Sequence, residues 1–163
     1  YCVTYGGGIH MIDLMRWLIG QEVVEVSGMS NKILTADSSY KFDDMIMNLL
    51  RFEKGTLGRS MSNLGPQRTK IHGLNVYGTK QTFVNDIPHA RLFSGDQSHQ
   101  DTTITTPYPG VDKFDLIPDF VSAIEENRQP AVPLTDIFRV MDICFACHDS
   151  LAAQRTIPVT YLI

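Results

Sequence analysis

The residues best suited to chemistry lie near the start of the chain, in the stretch YGGGIHMIDLMRWLIG at 5–20. His10 and Asp13 are three positions apart, so on a helix they are neighbours on one face. A carboxylate at that spacing can orient an imidazole and stabilise its protonated form, an arrangement suited to proton transfer. The three glycines before His10 favour a sharp turn or a close approach to another group. The same residues could also be an ordinary exposed pair at the start of a helix.

A second candidate motif, CFACH at 144–148, has the C-x-x-C-H spacing of covalent c-type haem attachment. It lies inside a helical apolar pattern, and no second C-x-x-C pair is present to complete a zinc site. Free cysteines commonly pack as small apolar side chains. We therefore predict that Cys144 and Cys147 lie in the core, with haem attachment as the alternative, and we predict no metal site. The predicted core stripe comprises Leu134, Ile137, Phe138, Met141, Cys144, Phe145, His148 and Leu151.

A basic loop is the third candidate. The stretch GPQRTKIHG at 65–73 places Arg68, Lys70 and His72 on a loop that leads into a strand. Strand alternation would put Lys70 and His72 on one face. Basic residues at such a position often only solvate the edge of a sheet. The alternative is that all three contact an anionic or polyol substrate, and we name them as candidate substrate-binding residues.

The glycine-rich stretches do not have the pattern of a nucleotide site. Gly6–Gly8 and the turn at 53–58 lack G-x-G-x-x-G spacing between a strand and a helix. Neither has the G-x-x-x-x-G-K-[ST] pattern. We predict that this chain alone binds neither NAD(H) nor NADP(H).

Composition narrows the classes of partner. The 163 residues include 43% apolar and 20% charged side chains, with 18 acidic against 14 basic residues. This balance argues against nucleic acid and anionic membranes, and no apolar run approaches the roughly 20 residues of a membrane span. Three cysteines fit a reducing cytoplasm better than a disulfide framework, so we expect a cytoplasmic protein. Because the first residue is Tyr1, we expect this chain to be a fragment of a longer protein.

The element that would position His10 is a helix. The apolar pattern predicts it from about Gly8 to Ile19, with Gly20 as its C-terminal stop. A rotation of about 100° per residue places His10, Asp13, Leu14 and Trp17 on one side. The opposite side, expected to face the core, carries Met11, Ile12, Met15, Leu18 and Ile19.

After this helix the sequence predicts a run of strands. Strand-like stretches occupy 22–30, 44–52, 55–63, 70–78 and 80–86, with hairpin turns at 52–58 and 77–81. The remainder is predicted to be a polar excursion at 87–113, helices at 114–128 and 134–154, and a short final strand within 156–163. This order predicts one α+β domain over 1–163, with a mostly antiparallel open sheet and helices packed on one face.

The predicted strands carry more apolar side chains than three helices can cover. The positions concerned are Met45, Met47, Leu49, Val76 and Phe83. A large uncovered apolar patch usually marks an interface. We therefore expect a dimer or higher homo-oligomer that forms through the sheet face.

The chain also resembles a known family. GGGIHMIDLMRWLIG…EVVEVSG is similar to the start of the C-terminal domain of the glucose–fructose oxidoreductase/inositol dehydrogenase/rhizopine-catabolism (Gfo/Idh/MocA) family. The likeness continues through LLRFEKGTLGRSMSN, LNVYGTKQTF and the stretch at 119–159, and it omits only 87–113. The resemblance implies a fold like the C-terminal domain of glyceraldehyde-3-phosphate dehydrogenase. It also implies an N-terminal Rossmann domain, absent from this chain, that holds NAD or NADP in the intact protein.

The resemblance also implies roles for individual residues. His10 matches the family's active-site histidine, and Asp13 matches an acidic residue that hydrogen-bonds substrate hydroxyls. The family often has an aspartate four residues before the histidine, and Gly6 stands there in this chain. The family's catalytic lysine lies in a Glu-Lys-Pro motif on the cofactor domain, so Glu53-Lys54-Gly55, a predicted turn, is not its counterpart.

Together these observations predict the substrate half of an NAD(P)-dependent oxidoreductase that acts on a sugar, polyol or related compound. His10 is the predicted catalytic residue, and Asp13, Arg68, Lys70 and His72 are the predicted substrate contacts. This chain is expected to be inactive without the cofactor domain. The alternative is a non-catalytic dimerisation or binding module of the same fold, which the glycine at position 6 favours.

Overall fold

The computed structural model describes residues 2–67, 72–85, 87–95, 101–106 and 116–163. The chain divides into one unit of Tyr1–Arg68 with Gln129–Ile163 and a second unit of Thr69–Arg128. Each unit contains an antiparallel sheet, so the predicted α+β class is confirmed. Within the described residues the α-helices are α1 (Ile9–Ile19), α2 (Leu116–Glu125) and α3 (Leu134–Ala153). The strands are β1 (Val23–Asn31), β2 (Met45–Phe52), β3 (Leu57–Asn63), β4 (Asn75–Tyr77), β5 (Gln81–Val84), β6 (Ala90–Ser94), β7 (Asp101–Ile104) and β8 (Ile157–Pro158).

Helix α1 ends where the sequence predicts. Gly20 has φ of +64°, and its N–H donates to the carbonyl of Arg16 at 2.8 Å, which closes the last turn. Ile12 and Met15 face the core as predicted, but Leu18 is 48% exposed, so its predicted burial is wrong. Arg16 lies on the buried side instead, because carboxylates are available there to pair with it.

The first unit is a four-stranded sheet in the order β3-β2-β1-β8 with α1 and α3 on one face. The buried side chains of β2 alternate with its outward ones, as expected for a sheet covered on one side. On the covered face, a methyl group at Gly28 would lie 2.9 Å from the side chain of Leu151 in α3. A methyl group at Gly58 would lie 3.2 Å from Sδ of Met15 in α1. Glycine at these two positions lets the helices approach the strands closely.

The opposite face of this sheet carries cross-strand rows of outward side chains. One row pairs Met29 with Met47 and Met47 with Met61. A second row brings Leu49 opposite Arg59. Met29, Leu49, Leu57 and Met61 are exposed on this face. The described part of the chain therefore presents an apolar sheet surface, as the sequence predicts.

The second unit contains a separate antiparallel sheet in the order β4-β5-β6-β7. The described strands therefore form two antiparallel sheets, whereas the sequence analysis predicts a single open sheet. Val76 is exposed on this second sheet and Phe83 is half-buried. Strands β6 and β7 lie within 87–113, which the sequence analysis interprets as a polar excursion. Strand β7 (DTTI) is mostly polar, and in the five-residue β6 (ARLFS) Leu92 and Phe93 are adjacent, so neither strand shows a hydrophobic alternation.

Helix α3 packs on β1 with a different stripe from the one predicted. Val140, Ile143, Cys144 and Cys147 are buried, so the prediction for the two cysteines is confirmed. Leu134, Ile137, Phe138 and Phe145 belong to the predicted stripe but are exposed. The buried face is rotated because Ala146 and Ser150 let the helix lie close to the sheet.

Across the described ranges, no helix combines the length and the apolar character needed to cross a membrane.

Candidate functional site

His10 lies exposed in the first turn of α1, directly after an unusual backbone segment. Thr4–Gly8 forms a π-helix, in which the N–H of Ile9 donates to the carbonyl of Thr4. Such segments are rare and frequently occur at functional sites. A methyl group at Gly8 would lie only 2.9 Å from Oγ of Ser62 on β3. The glycines therefore allow the backbone to pass close to the sheet immediately before the histidine.

Asp13 follows one turn later on the same exposed side of α1. Its side chain is 56% exposed, and its carboxylate lies 3.6 Å from Nη1 of Arg16. The structure thus gives the carboxylate a cationic neighbour on its own helix. His10 and Asp13 together present an imidazole and a carboxylate on one accessible stretch of helix, which suits the recognition of a hydroxyl-bearing molecule.

Arg16 connects this stretch of helix to the rest of the first unit. The side chain is only 8% exposed, and its Nε and Nη2 each donate to Glu22 at 2.8 Å. Nη2 also lies 3.3 Å from Asp136 in the first turn of α3. Hydrogen bonding to Glu22 raises the pKa of Arg16, and burial opposes this shift only in part. The guanidinium therefore stays charged and joins α1, β1 and α3.

Glu22 has a second cationic partner, Arg139, at 2.9 Å. The hydrogen bonds from Arg16 lower the pKa of Glu22, burial opposes them, and Arg139 adds to the lowering. Nε of Arg139 donates to the carbonyl of Ile163, and its guanidinium lies 5.9 Å from the ring of Tyr161. The hydroxyl of Tyr161 in turn donates to the carbonyl of Val23 at 2.8 Å. This network holds residues 161–163 against α3 and β1.

A groove runs beside these residues between α1 and the N-terminal part of α3. It encloses about 580 Å³, and we call it the α1–α3 groove. Its lining includes Ile9, Asp13, Trp17, Val132, Asp136 and Ile137. Ile9 and Asp13, on either side of His10 in the sequence, both contribute to this lining. The lining combines apolar side chains with the carboxylates of Asp13, Glu22, Glu53 and Asp136.

The two cysteines of the C-x-x-C-H motif are part of the core, whereas His148, which belongs to the predicted core stripe, is exposed, so its predicted burial is wrong. Burial raises the pKa of the Cys144 and Cys147 thiols to about 12, so both remain protonated at neutral pH. The ring of His148 is stacked on Tyr5, with 6.3 Å between their centroids. In the portion of the chain that the structure describes, no group of three or more His, Cys, Asp or Glu side chains is placed to hold a metal ion.

The predicted basic loop is described only in part. Arg68 and Lys70 lie outside the described residues. His72 is exposed and belongs to the second unit, where its carbonyl accepts a hydrogen bond from Nδ2 of Asn85 at 3.1 Å.

Sequence reasoning missed the roles of Arg16, Glu22 and Asp136. The available signal was an arginine in the last turn of a helix followed by a glutamate just beyond the helix end.

Comparison with known proteins gives consistent results. The family model described as GFO/IDH/MocA C-terminal domain matches residues 2–84. No curated protein sequence matches this chain. The solved structures that share the fold include three with TM-scores of 0.76 to 0.78 at low sequence identity.

The first of these is levoglucosan dehydrogenase in complex with NADH and levoglucosan, at 21% identity, a TM-score of 0.77, and coverage of 96% of this chain and 50% of that one. The second is an aldose-aldose oxidoreductase from Caulobacter crescentus complexed with glycerol, at 17% identity and a TM-score of 0.78. The match covers 96% of this chain and 47% of that one. The third is an oxidoreductase domain protein from Kribbella flavida, at 17% identity and a TM-score of 0.76, with 97% and 51% covered. This chain spans about half the length of each.

Removal of the buried cation should destabilise the first unit strongly. Arg16→Ala leaves Glu22 and Asp136 without their shared partner, so we expect the free energy of unfolding to fall by about 3 kcal/mol. The control is Arg51→Ala, which breaks the exposed ion pair with Glu25 and should cost less than about 1 kcal/mol. Urea unfolding of both variants measures the difference. Equal losses for the two variants would contradict the role assigned to Arg16.

The same network predicts a dependence of stability on acid. The pKa of Glu22 lies below its ordinary value of 4.5 in the folded chain, so its contribution is complete above about pH 4.5 and is lost as the pH falls further. We expect the free energy of unfolding to decrease in that range. Glu22→Gln should lower the free energy of unfolding at neutral pH. It should also make the loss of stability below about pH 4.5 less steep. A decline of the same steepness in this variant would show that other groups cause it.

Proposed function

The chain belongs to the GFO/IDH/MocA family, and we propose that it is the substrate half of an NAD(P)-dependent oxidoreductase acting on a sugar, polyol or related compound. Levoglucosan dehydrogenase, which has the same fold, is known in complex with NADH and levoglucosan, and the Caulobacter crescentus enzyme is known with glycerol. Because this chain spans about half of such proteins, the cofactor would be held by the other half.

The observation that carries the proposal is the placement of His10. Its imidazole is exposed at the start of α1, next to a glycine segment that packs tightly on the sheet. Asp13 offers hydroxyl-binding oxygens one turn away. These two residues fit a polyol ligand, whereas the sequence of this chain contains no dinucleotide fingerprint.

The proposed roles of these residues concern the substrate oxygen. A bound nicotinamide supplies hydride transfer to or from the substrate carbon. His10 would hold or move the proton of the hydroxyl or carbonyl oxygen on that carbon. The carboxylate of Asp13 lies 3.6 Å from Nη1 of Arg16. It would accept hydrogen bonds from the neighbouring hydroxyls of the substrate and so orient the sugar. His72 and the undescribed Arg68 and Lys70 remain proposed substrate contacts.

A second candidate function is a non-catalytic dimerisation module. Gly6 favours it, because a glycine cannot supply the carboxylate that the family often has four residues before the histidine. The two candidates separate in one assay. The full-length protein is incubated with NAD or NADP and a panel of sugars and polyols, and formation of the reduced cofactor is followed by absorbance. Turnover of any substrate supports the enzyme, and its absence across the panel supports the module.

Replacement of His10 tests its proposed role in the full-length protein. His10→Asn keeps a hydrogen-bond donor but removes the titratable nitrogen, so turnover should fall roughly 10²- to 10⁴-fold. His89→Asn is the matched control, since His89 is also an exposed histidine and belongs to the second unit. We expect this control to retain turnover. Wild-type turnover in His10→Asn across pH 6 to 10 would show that the histidine is only structural.

We also propose that the apolar face of the first sheet joins two copies of the protein. Leu49 and Met61 are exposed on this face, and covering them would bury apolar area in a homo-oligomer. We expect light scattering to report a dimer or larger species at tens of micromolar, and a monomer for Leu49→Lys combined with Met61→Lys. A wild-type monomer under these conditions would rule out the interface.

A further inference from the structure

Gly8 has a backbone conformation that does not require glycine. Its φ of −59° and ψ of −36° are those of an ordinary right-handed helix, which any residue other than proline adopts readily. In that conformation alanine stabilises a helix better than glycine does. The structural reason for glycine at this position is therefore the space beside its Cα atom.

That space is limited by a side chain of β3. A methyl group at Gly8 would lie 2.9 Å from Oγ of Ser62, 3.6 Å from the carbonyl oxygen of Val3 and 3.8 Å from Oγ of Ser60. Of these three atoms, only Oγ of Ser62 is closer than ordinary van der Waals contact, which begins at roughly 3.5 Å. Gly8 is buried, so the methyl group would have no open solvent to enter. Ser62 thus determines which residue fits at position 8.

The covered face of β3 carries small residues along its length, and these are Gly58, Ser60 and Ser62. Helix α1 and the π-helix before it meet this strand at two points. Sδ of Met15 would lie 3.2 Å from a methyl group at Gly58, and Gly8 lies against Ser62 just before α1 begins. Two contacts along one strand fix both the height and the tilt of the helix above β3.

His10 is carried by the segment that Gly8 and Ser62 hold against the sheet. It lies two residues after Gly8, in the first turn of α1. The N–H of Ile9 donates to the carbonyl of Thr4, which ties this turn to the π-helix. A displacement of the backbone at Gly8 is therefore transmitted to the His10 imidazole and is not absorbed by a flexible loop.

We propose that Ser62 is a positioning residue for His10. Together with Gly8 it sets the distance between β3 and the first turn of α1, and so the place at which the imidazole meets the substrate oxygen. This inference rests on the proposed function, in which His10 holds or moves the proton of that oxygen. Ser62 acts through the helix and makes no contact with the substrate.

One added methyl group tests this proposal in the full-length protein. Gly8→Ala must displace the first turn of α1 by roughly 0.5 Å, because the methyl group and Oγ of Ser62 cannot overlap. Turnover of the sugar or polyol should fall roughly 10- to 10²-fold, since small misplacements of a catalytic group have effects of this size. The KM for the cofactor should change less than about twofold. Wild-type turnover in Gly8→Ala would show that the Ser62 hydroxyl moves aside, and it would overturn the proposal.

Removal of the hydroxyl that obstructs the methyl group should rescue the variant. Ser62→Ala takes away Oγ and keeps the Cβ atom, so Gly8→Ala combined with Ser62→Ala should recover turnover to within about threefold of the wild type. Because the two residues are in contact, their effects should not add. A double variant as impaired as Gly8→Ala alone would reject the role of Ser62.

Gly28→Ala is the matched control for general damage to the fold. Gly28 also lies on the covered face of the sheet, and a methyl group there would lie 2.9 Å from the side chain of Leu151 on α3. Both Gly8→Ala and Gly28→Ala should lower the midpoint of thermal unfolding. Well below both midpoints, Gly28→Ala should keep wild-type turnover. Equal losses of turnover from the two variants would show that destabilisation alone is the cause and would contradict the positioning role.

A spectroscopic measurement separates failure of the positioning from failure of the proposed reaction. In full-length protein with isotope-labelled histidine, the imidazole signal of His10 is identified by its loss in His10→Asn. Gly8→Ala should shift this signal, and the addition of Ser62→Ala should restore it. These shifts without turnover of any sugar or polyol would reject the reaction and keep the positioning. Turnover of substrate with an unmoved signal in Gly8→Ala would keep the reaction and reject the positioning.

Discussion

The burial of Arg16 is the constraint on which the first unit depends. A guanidinium that is 8% exposed costs several kcal/mol to desolvate unless carboxylates surround it in good geometry. Glu22 supplies two parallel hydrogen bonds, and Asp136 supplies a third contact from α3. Since these three residues come from α1, the entry to β1 and the start of α3, satisfying the charge fixes how the two helices lie on the sheet.

The same network determines the electrostatics of the candidate site. Glu22 is shared between Arg16 and Arg139, so its charge is fully compensated. Asp13 and Asp136 contact Arg16 only at 3.6 and 3.3 Å and remain about half exposed. Their residual negative charge borders the α1–α3 groove, and Asp13 lies one turn from His10. The residues that stabilise the fold therefore also set the charge that a ligand or partner meets.

The parts of the structure that the sequence predicts are those encoded by local chemistry. Gly20 ends α1 with φ of +64°, and Gly55 forms the β2–β3 turn with φ of +85°, and both positions are evident from glycine placement. The contact of Arg16 with Asp136 spans 120 positions and has no local signal. Helix α3 shows the same limit: its sequence is apolar on more than one side, so periodicity alone could not indicate that Phe145 stays exposed while Val140 is buried. The His10–Asp13 pair was predictable because both lie on one helix.

The two uncovered apolar surfaces of the first unit are suited to different partners. An interface between identical copies related by a two-fold axis brings each surface patch against itself or a neighbour, so unbalanced charge of one sign is repelled. The outward sheet face comes closer to this condition, because Glu25 is paired with Arg51 and the methionine row is neutral, although Arg59 adds a positive charge. The α1–α3 groove does not, because Asp13, Glu53 and Asp136 border it without an exposed lining cation. Charge balance thus favours the sheet face over the groove as the surface for the proposed self-association.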